Sequence, residues 1–588
     1  MVSRRKLAVS LGIVAVAAIS LLAASWAGAQ SKASYPREQT LITSGTQWGS
    51  IAGFNPYVGN YATGMVGLSN ETLLRYDPLA DKYIPWLAKS AEFTGPKRFT
   101  IKVRSGIKWS DGKPFTAEDV AFNLRLLRFS TSTWHTAWCK LSVETDPKVV
   151  PTCAAKAIKV RAKGDTVTVT WSETPSFAQW MNAMFNIPMM SPKQYGKVTS
   201  ATLTTITVKP IGTGPYTLDS AGYDPTTRVV WKKQAVWWAA KQGVAPSPAP
   251  TYIIDLCNTS NTNALSGLLT KIEDLNNNYL PGITTLVKNG QAQTYFSKAP
   301  YDLSANTAWL EVNTTKPALN DKAFRKALAT SVNVGNIVAN DYGNLVLPAN
   351  ATGLLGVWQK WVDQAQLKSL GFTYSTAKAK TMLAAAGYKD SNGDGYVENK
   401  DGSKIDLKIA VPQGWSDWES ARDMIVASAK LAGIRMHKDE GDFNHWQTER
   451  NQGQFDTVID NNYQLSDNPW TYYNGIFHLP IITTGTGQTN FNFGRYNNPA
   501  AWSLVKKLDK TSVTNTAQRK SIMKQLQAIT MNDLPIIPLW YNGVWAQTQS
   551  KYWTNWPSDA STRKYIPCMW RGYLQMTGID TFTHVKKA

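Results

Sequence analysis

The sequence predicts an α/β protein divided into two or three lobes. Three observations carry that expectation. The chain has 588 residues, more than one hydrophobic core organises. Stretches with apolar residues at every second position recur between stretches with apolar residues three and four apart, so strands and helices are interleaved. One segment, Phe99 to Phe129, reads FTIKVRSGIKWSDGKPFTAEDVAFNLRLLRF and holds both patterns side by side.

Taken in order, the chain opens with Arg4, Arg5 and Lys6, an apolar run from Leu7 to Leu22 and the small residues Ala27-Gly28-Ala29. This is the pattern of a cleaved export signal, expected to cover residues 1–29. A short strand at Leu41-Ile42 follows, then a loop rich in Gly, Asn and aromatic residues that contains Trp48 and Asn55. Phe99, Ile101 and Val103 alternate with polar residues as a half-buried strand. Asp111-Gly112 is a turn pair, and Thr116 with Asp119 forms a capping box, so a helix is predicted to start there with Val120, Leu124 and Leu127 on its apolar face. Val167, Val169 and Trp171 alternate as a further strand. Pro246 to Pro250 is a stiff linker, followed by a strand from Tyr252 to Leu256. Asp321 precedes a helix carrying Phe324, Leu328 and Val332. Ile405, Leu407 and Ile409 alternate before the Gly-Trp loop at Trp415, and a strand is predicted from Thr457 to Asp460.

The formal net charge is +21, but Lys and Arg are scattered, which favours a solvated basic surface over a nucleic-acid partner. Four cysteines follow the signal, none placed to carry a lipid, so a protein free in the periplasm or secreted is expected. In such an oxidising compartment a disulfide between Cys139 and Cys153 is expected, adding roughly 3 kcal/mol on the chain-entropy model. Pairing of Cys257 with Cys568 is left open. Asp390, Asn392, Asp394 and Gly395 match the first half of a calcium loop, with Glu398 and Asp401 further on. A solvated turn is the other reading, and no cofactor is required. The five histidines are isolated, with no H-E-x-x-H and no G-x-S-x-G, so an enzyme is not expected.

The stretch WSDGKPFTAEDVAFNL, Trp109 to Leu124, resembles the signature of the family 5 solute-binding proteins of ABC transporters, receptors for dipeptides, oligopeptides, nickel and some oligosaccharides. Leu68 to Ser90, Ile211 to Tyr216, Thr307 to Asn333, Val411 to Ile434 and Asp533 to Pro557 resemble further landmarks of that family. Gly212 and Gly214 lack the Lys and the third Gly of a nucleotide loop. The resemblance implies a two-lobed periplasmic-binding-protein fold with a helper subdomain and a hinge between the lobes. Lobe I is expected at 30–74, 206–257 and 526–588, the helper subdomain at 75–205 and lobe II at 258–525. It also implies a monomer that captures a ligand in the interlobe cleft and delivers it to membrane permease subunits without covalent change.

The composition favours a binding cleft, since the chain carries 24 Trp and 24 Tyr. Flat aromatic faces suit the polarised C–H groups of a sugar ring. Trp415 and Trp418 bracket Asp417 at a strand end, where open α/β sheets place ligands. Trp48, Asn55, Asp467, Trp470 and Trp540 complete the candidate ligand-binding set. Asp467 falls near the place where peptide-binding members hold the ligand ammonium group. Within the family the pattern Gly-Trp-Ser-Asp-Trp is similar to that of cello-oligosaccharide and β-mannoside receptors, with an oligopeptide or dipeptide ligand as the alternative.

Overall fold

The computed structural model describes residues 34–47, 51, 53–58, 61–129, 158–461, 466, 468–481, 489, 491–561, 565–569 and 576–588. The expected signal, Trp48, Asp467 and the Cys139–Cys153 pair lie outside them. Among the described residues no helix is long and apolar enough to cross a membrane.

The chain lays down β1 (Thr40–Gln47), a hairpin of β2 (Leu74–Asp77) and β3 (Lys82–Pro85), and then the four strands of a helper sheet: β4 (Ala88–Gly95), β5 (Arg98–Val103), β6 (Ile158–Lys163) and β7 (Thr166–Trp171). This sheet is antiparallel in the order β4-β5-β7-β6. The predicted alternation holds, with Phe99, Ile101 and Val103 on its buried face. The helix Ala117–Leu126 packs beside it and starts where expected: Thr116 Oγ1 accepts from the Asp119 N–H, and the Asp119 carboxylate accepts from the Thr116 N–H.

The chain then returns through β8 (Tyr216–Leu218), β9 (Arg228–Lys233), β10 (Tyr252–Asn258) and β11 (Leu275–Asn276). The return is a close backbone approach. A Cβ on Gly212 would sit 1.9 Å from the Ser69 carbonyl oxygen, and one on Gly214 would sit 2.3 Å from that of Leu68. These glycines are therefore required by packing.

The second sheet takes β12 (Ser304–Val312), β13 (Leu407–Pro412), β14 (Met436–Gly441), β15 (Thr457–Asp460) and β16 (Ile536–Gly543) in the order β14-β13-β15-β12-β16. Finally β17 (Gln547–Thr548) joins the first sheet, whose order is β17-β11-β1-β10-β9-β8.

Sheet membership runs past both expected lobe boundaries. Gln293 still bridges Thr548 in the first sheet, and β16 pairs with β12 from Ile536 to Gly543. The chain thus crosses between 293 and 304 and again between 543 and 547, later than the expected 257/258 and 525/526. The reason is local. Strands β11 and β17 are two residues long, too short to alternate, and β16 is buried on both faces, so its near-continuous apolar run names no sheet.

Candidate functional site

Parallel strands aim their ends in one direction, and both sheets use this. In the first, β1 runs parallel to β10 and β11, so the chain leaves all three at one edge. In the second, β13 runs parallel to β14 and β15, and the antiparallel β12 and β16 bring Ser304 and Gly543 to that same edge. Both crossings therefore join carboxyl-end edge to carboxyl-end edge, and a crevice between them is the site such sheets provide.

Three of the expected site residues meet at the end of β13. Trp415 is half-buried, and Trp418 stands edge-on to it at 4.7 Å between ring centroids. Trp418 is itself fully buried, so it braces Trp415 from behind. Asp417 accepts from Tyr342 Oη at 3.1 Å and from Asn261 Nδ2 at 3.2 Å. Asn261 opens the helix Asn261–Leu269, which follows β10 of the first sheet, so this carboxyl ties the two sheets together. Tyr279 and Trp545 extend the junction: Tyr342 and Trp545 are nearly parallel, and Tyr279 meets both edge-on.

The remaining candidates are dispersed. Trp540 is wholly buried against Tyr342 on one face of the second sheet. Trp470 is buried in a separate apolar cluster with Trp309 and Tyr472. Asn55 donates to the Leu203 carbonyl and accepts from the Tyr57 N–H and the Tyr195 hydroxyl, so its amide fastens its own loop to the segment after the helper sheet. The junction also gathers Tyr342, Tyr279 and Asn261, none of which stands out in the sequence. The triple Asn276-Asn277-Asn278 just before Tyr279 was an available signal, because polar side chains in a row at a strand end mark a loop held by side-chain hydrogen bonds.

Away from the crossings the helper region touches the second half of the chain. The helix Phe177–Asn186 packs on Pro499–Asp509, Ser176 donates to Asp509, and Lys360 pairs with Asp81.

The acidic turn at 390–401 lies elsewhere. Carboxylate oxygens of Asp390, Asp394 and Glu398 lie within 4.8 Å of one another, a spacing that can hold a cation. Asn392 instead donates to Glu398 and accepts from the Asp394 N–H. Arg435 already pairs with Asp394, and Asp401 turns to Ser403.

Burial raises several carboxyl pKa values, among them those of Asp417 to about 6, Glu273 to about 8 and Glu311 to about 8. Each loses more from leaving water than its hydrogen bonds return. In the folded protein these groups hold protons that the unfolded chain has released. Their contribution to stability is therefore full below about pH 4 and is lost as pH rises from about 4 to about 8. The melting temperature is expected to be higher at pH 5 than at pH 8.5. Equal values would mean that the three carboxyls are ionised when folded.

A family model described as "Bacterial extracellular solute-binding proteins, family 5 Middle" matches residues 82–482. The oligopeptide-binding protein AppA of Bacillus subtilis is 25% identical over 464 residues, 76% of each chain. The oligopeptide-binding protein OppA of Lactococcus lactis is 23% identical, covering 76% of this chain and 74% of its own. Among solved structures, a periplasmic oligopeptide-binding protein of an ABC transporter from Thermotoga maritima is 30% identical, with a TM-score of 0.84 over 94% of this chain and 100% of its own. A second structure from that organism, described as mannohexaose-bound, gives 0.82 at the same identity, over 94% of this chain and 99% of its own. With two lobes joined by two crossings and a family model over more than half its length, the chain belongs to the family 5 bacterial extracellular solute-binding proteins, the receptors of ABC importers.

Proposed function

We propose that the crevice captures an oligosaccharide of β-linked gluco- or manno-type and hands it to membrane permease subunits. The observation that carries this reading is Trp415: a partly exposed indole at the carboxyl end of β13, braced by Trp418 and Trp446. A rigid aromatic face of that kind gives a sugar ring contact area at little entropic cost. The 30% identity to a protein solved with mannohexaose supports it. Ligand that touches both lobes stabilises the closed arrangement, which is the form a permease would recognise. The protein works as an exported monomer, its first 29 residues removed.

Peptide capture is the second reading, favoured by Asp467 and by the names of the curated relatives. Calorimetry against gluco-, manno- and xylo-oligosaccharides and mixed peptides separates the two. For a sugar ligand, Trp415→Ala is expected to weaken binding by roughly 1 to 3 kcal/mol through lost aromatic area. Asp467→Asn is expected to cost less, since an amide still accepts from a hydroxyl. Peptide capture reverses that order and adds salt sensitivity, because an ammonium loses its counter-charge. A series in which Asp467→Asn abolishes binding while Trp415→Ala is silent would overturn the sugar reading.

A further inference from the structure

Phe443 is the first residue of the helix Phe443–Gln452, held at the end of β14 by the Asp442 cap. Its ring lies over Trp415 at 6.0 Å and 29°, and over Trp446 at 5.7 Å and 36°. Yet it remains 38% exposed. Trp418 closes the group, edge-on to Trp415 and 6.3 Å from Trp446. The result is an aromatic stack whose inner rings are fixed and whose outer ring faces water.

Position gives this stack a meaning. Strand β14 is the outer strand of the second sheet, and β16, which carries the chain into the second crossing, is the strand at the opposite edge. Phe443 therefore stands at the same carboxyl-end edge as Trp415, but beside the strand furthest from the crossings. Isolated exposed phenylalanines are ordinary on a protein surface. One stacked on two Trp rings at a strand end, with its backbone pinned by a cap, has the pre-set geometry of a contact residue.

We propose that Phe443 is a specificity-determining residue that reads ligand length. It stacks on the outermost pyranose ring of an oligosaccharide long enough to reach past Trp415, and contributes nothing to a shorter one. This rests on the oligosaccharide reading above. Trp415 would serve ligands of every length, being nearer the junction, whereas the Phe443 contact is made only by the long ones.

The test is a chain-length series, two to six units of a β-linked manno-oligosaccharide, titrated into the full-length protein and into Phe443→Ala and Phe443→Trp. Phe443→Ala is expected to weaken the hexasaccharide about tenfold and to leave the disaccharide unchanged, flattening the dependence on length. Phe443→Trp is expected to restore it. Thermal melting of each variant shows whether the fold is kept. An equal loss at every length would overturn the proposal by making Phe443 a structural brace for Trp415. No loss at any length would overturn it outright. If the unaltered protein binds none of the sugars and binds a peptide, the oligosaccharide reading itself falls and takes this one with it, a result distinct from the other two.

Discussion

Replacing Glu71 by Ala is expected to destabilise the protein by roughly 4 kcal/mol or more, read by urea denaturation. Glu71 is fully buried, and four side chains donate to it. The indole N–H groups of Trp86 and Trp237 reach Oε1 at 2.9 and 3.3 Å, and those of Trp238 and the Thr213 hydroxyl reach Oε2 at 2.7 Å each. Burial pushes its pKa up to about 7 while those four bonds pull it down. Ala would strand four buried donors, each worth about 1 to 3 kcal/mol when unsatisfied. Glu71→Gln is the sharper variant. An indole only donates, so the amide NH2 of Gln would face a donor that has no lone pair to offer. A Gln variant as stable as the original would mean that the carboxyl is protonated when folded, since a neutral acid also carries one donor and one acceptor end.

The second large effect is expected at Arg450. Its guanidinium pairs with Asp460 at 3.1 Å and lies over the rings of Trp446 at 4.6 Å and Phe493 at 4.2 Å. Both charged side chains are almost wholly buried, at 8% and 1% exposure. Arg450→Leu removes one partner and leaves a carboxylate in an apolar setting, which costs about 3 to 5 kcal/mol. Pairing it with Asp460→Asn is expected to recover part of that loss, because the orphaned charge goes with it. Asp460 also ends β15 at the carboxyl-end edge of the second sheet. A loss below about 1 kcal/mol would show that water reaches Asp460.

Much of the architecture was legible because it is locally determined. Thr116 and Asp119 are three residues apart and cap their helix whatever the rest of the chain does. The strand Thr457–Asp460 announced itself by its own apolar run. The site was harder to see. Trp415 and Trp540 are the same residue type and fit the same role by sequence, but one is partly exposed and the other has no exposed surface. What separates them is Tyr342, which packs against Trp540 from two hundred residues away. The cage of Glu71 is equally non-local, drawing donors from 15, 142, 166 and 167 residues further along. Phe443 was hidden for another reason: a single aromatic residue after a capping Asp reads as an ordinary helix start.

The first sheet draws strands from near both ends of the chain, and this sets a timetable. The indole N–H of Trp553 donates to the carbonyl of Thr40 across a separation of 513 residues, and β17 completes an edge that began with β1. At translation rates of about 5 to 20 residues per second, those two groups emerge roughly half a minute to two minutes apart. Through that interval β1 waits first for its parallel neighbours β10 and β11 and then for its late partners, whereas the helper sheet, drawn from neighbouring segments, can already close. The helper sheet is therefore the natural first foldon, and the oldest strand of the chain is among the last to be locked in place.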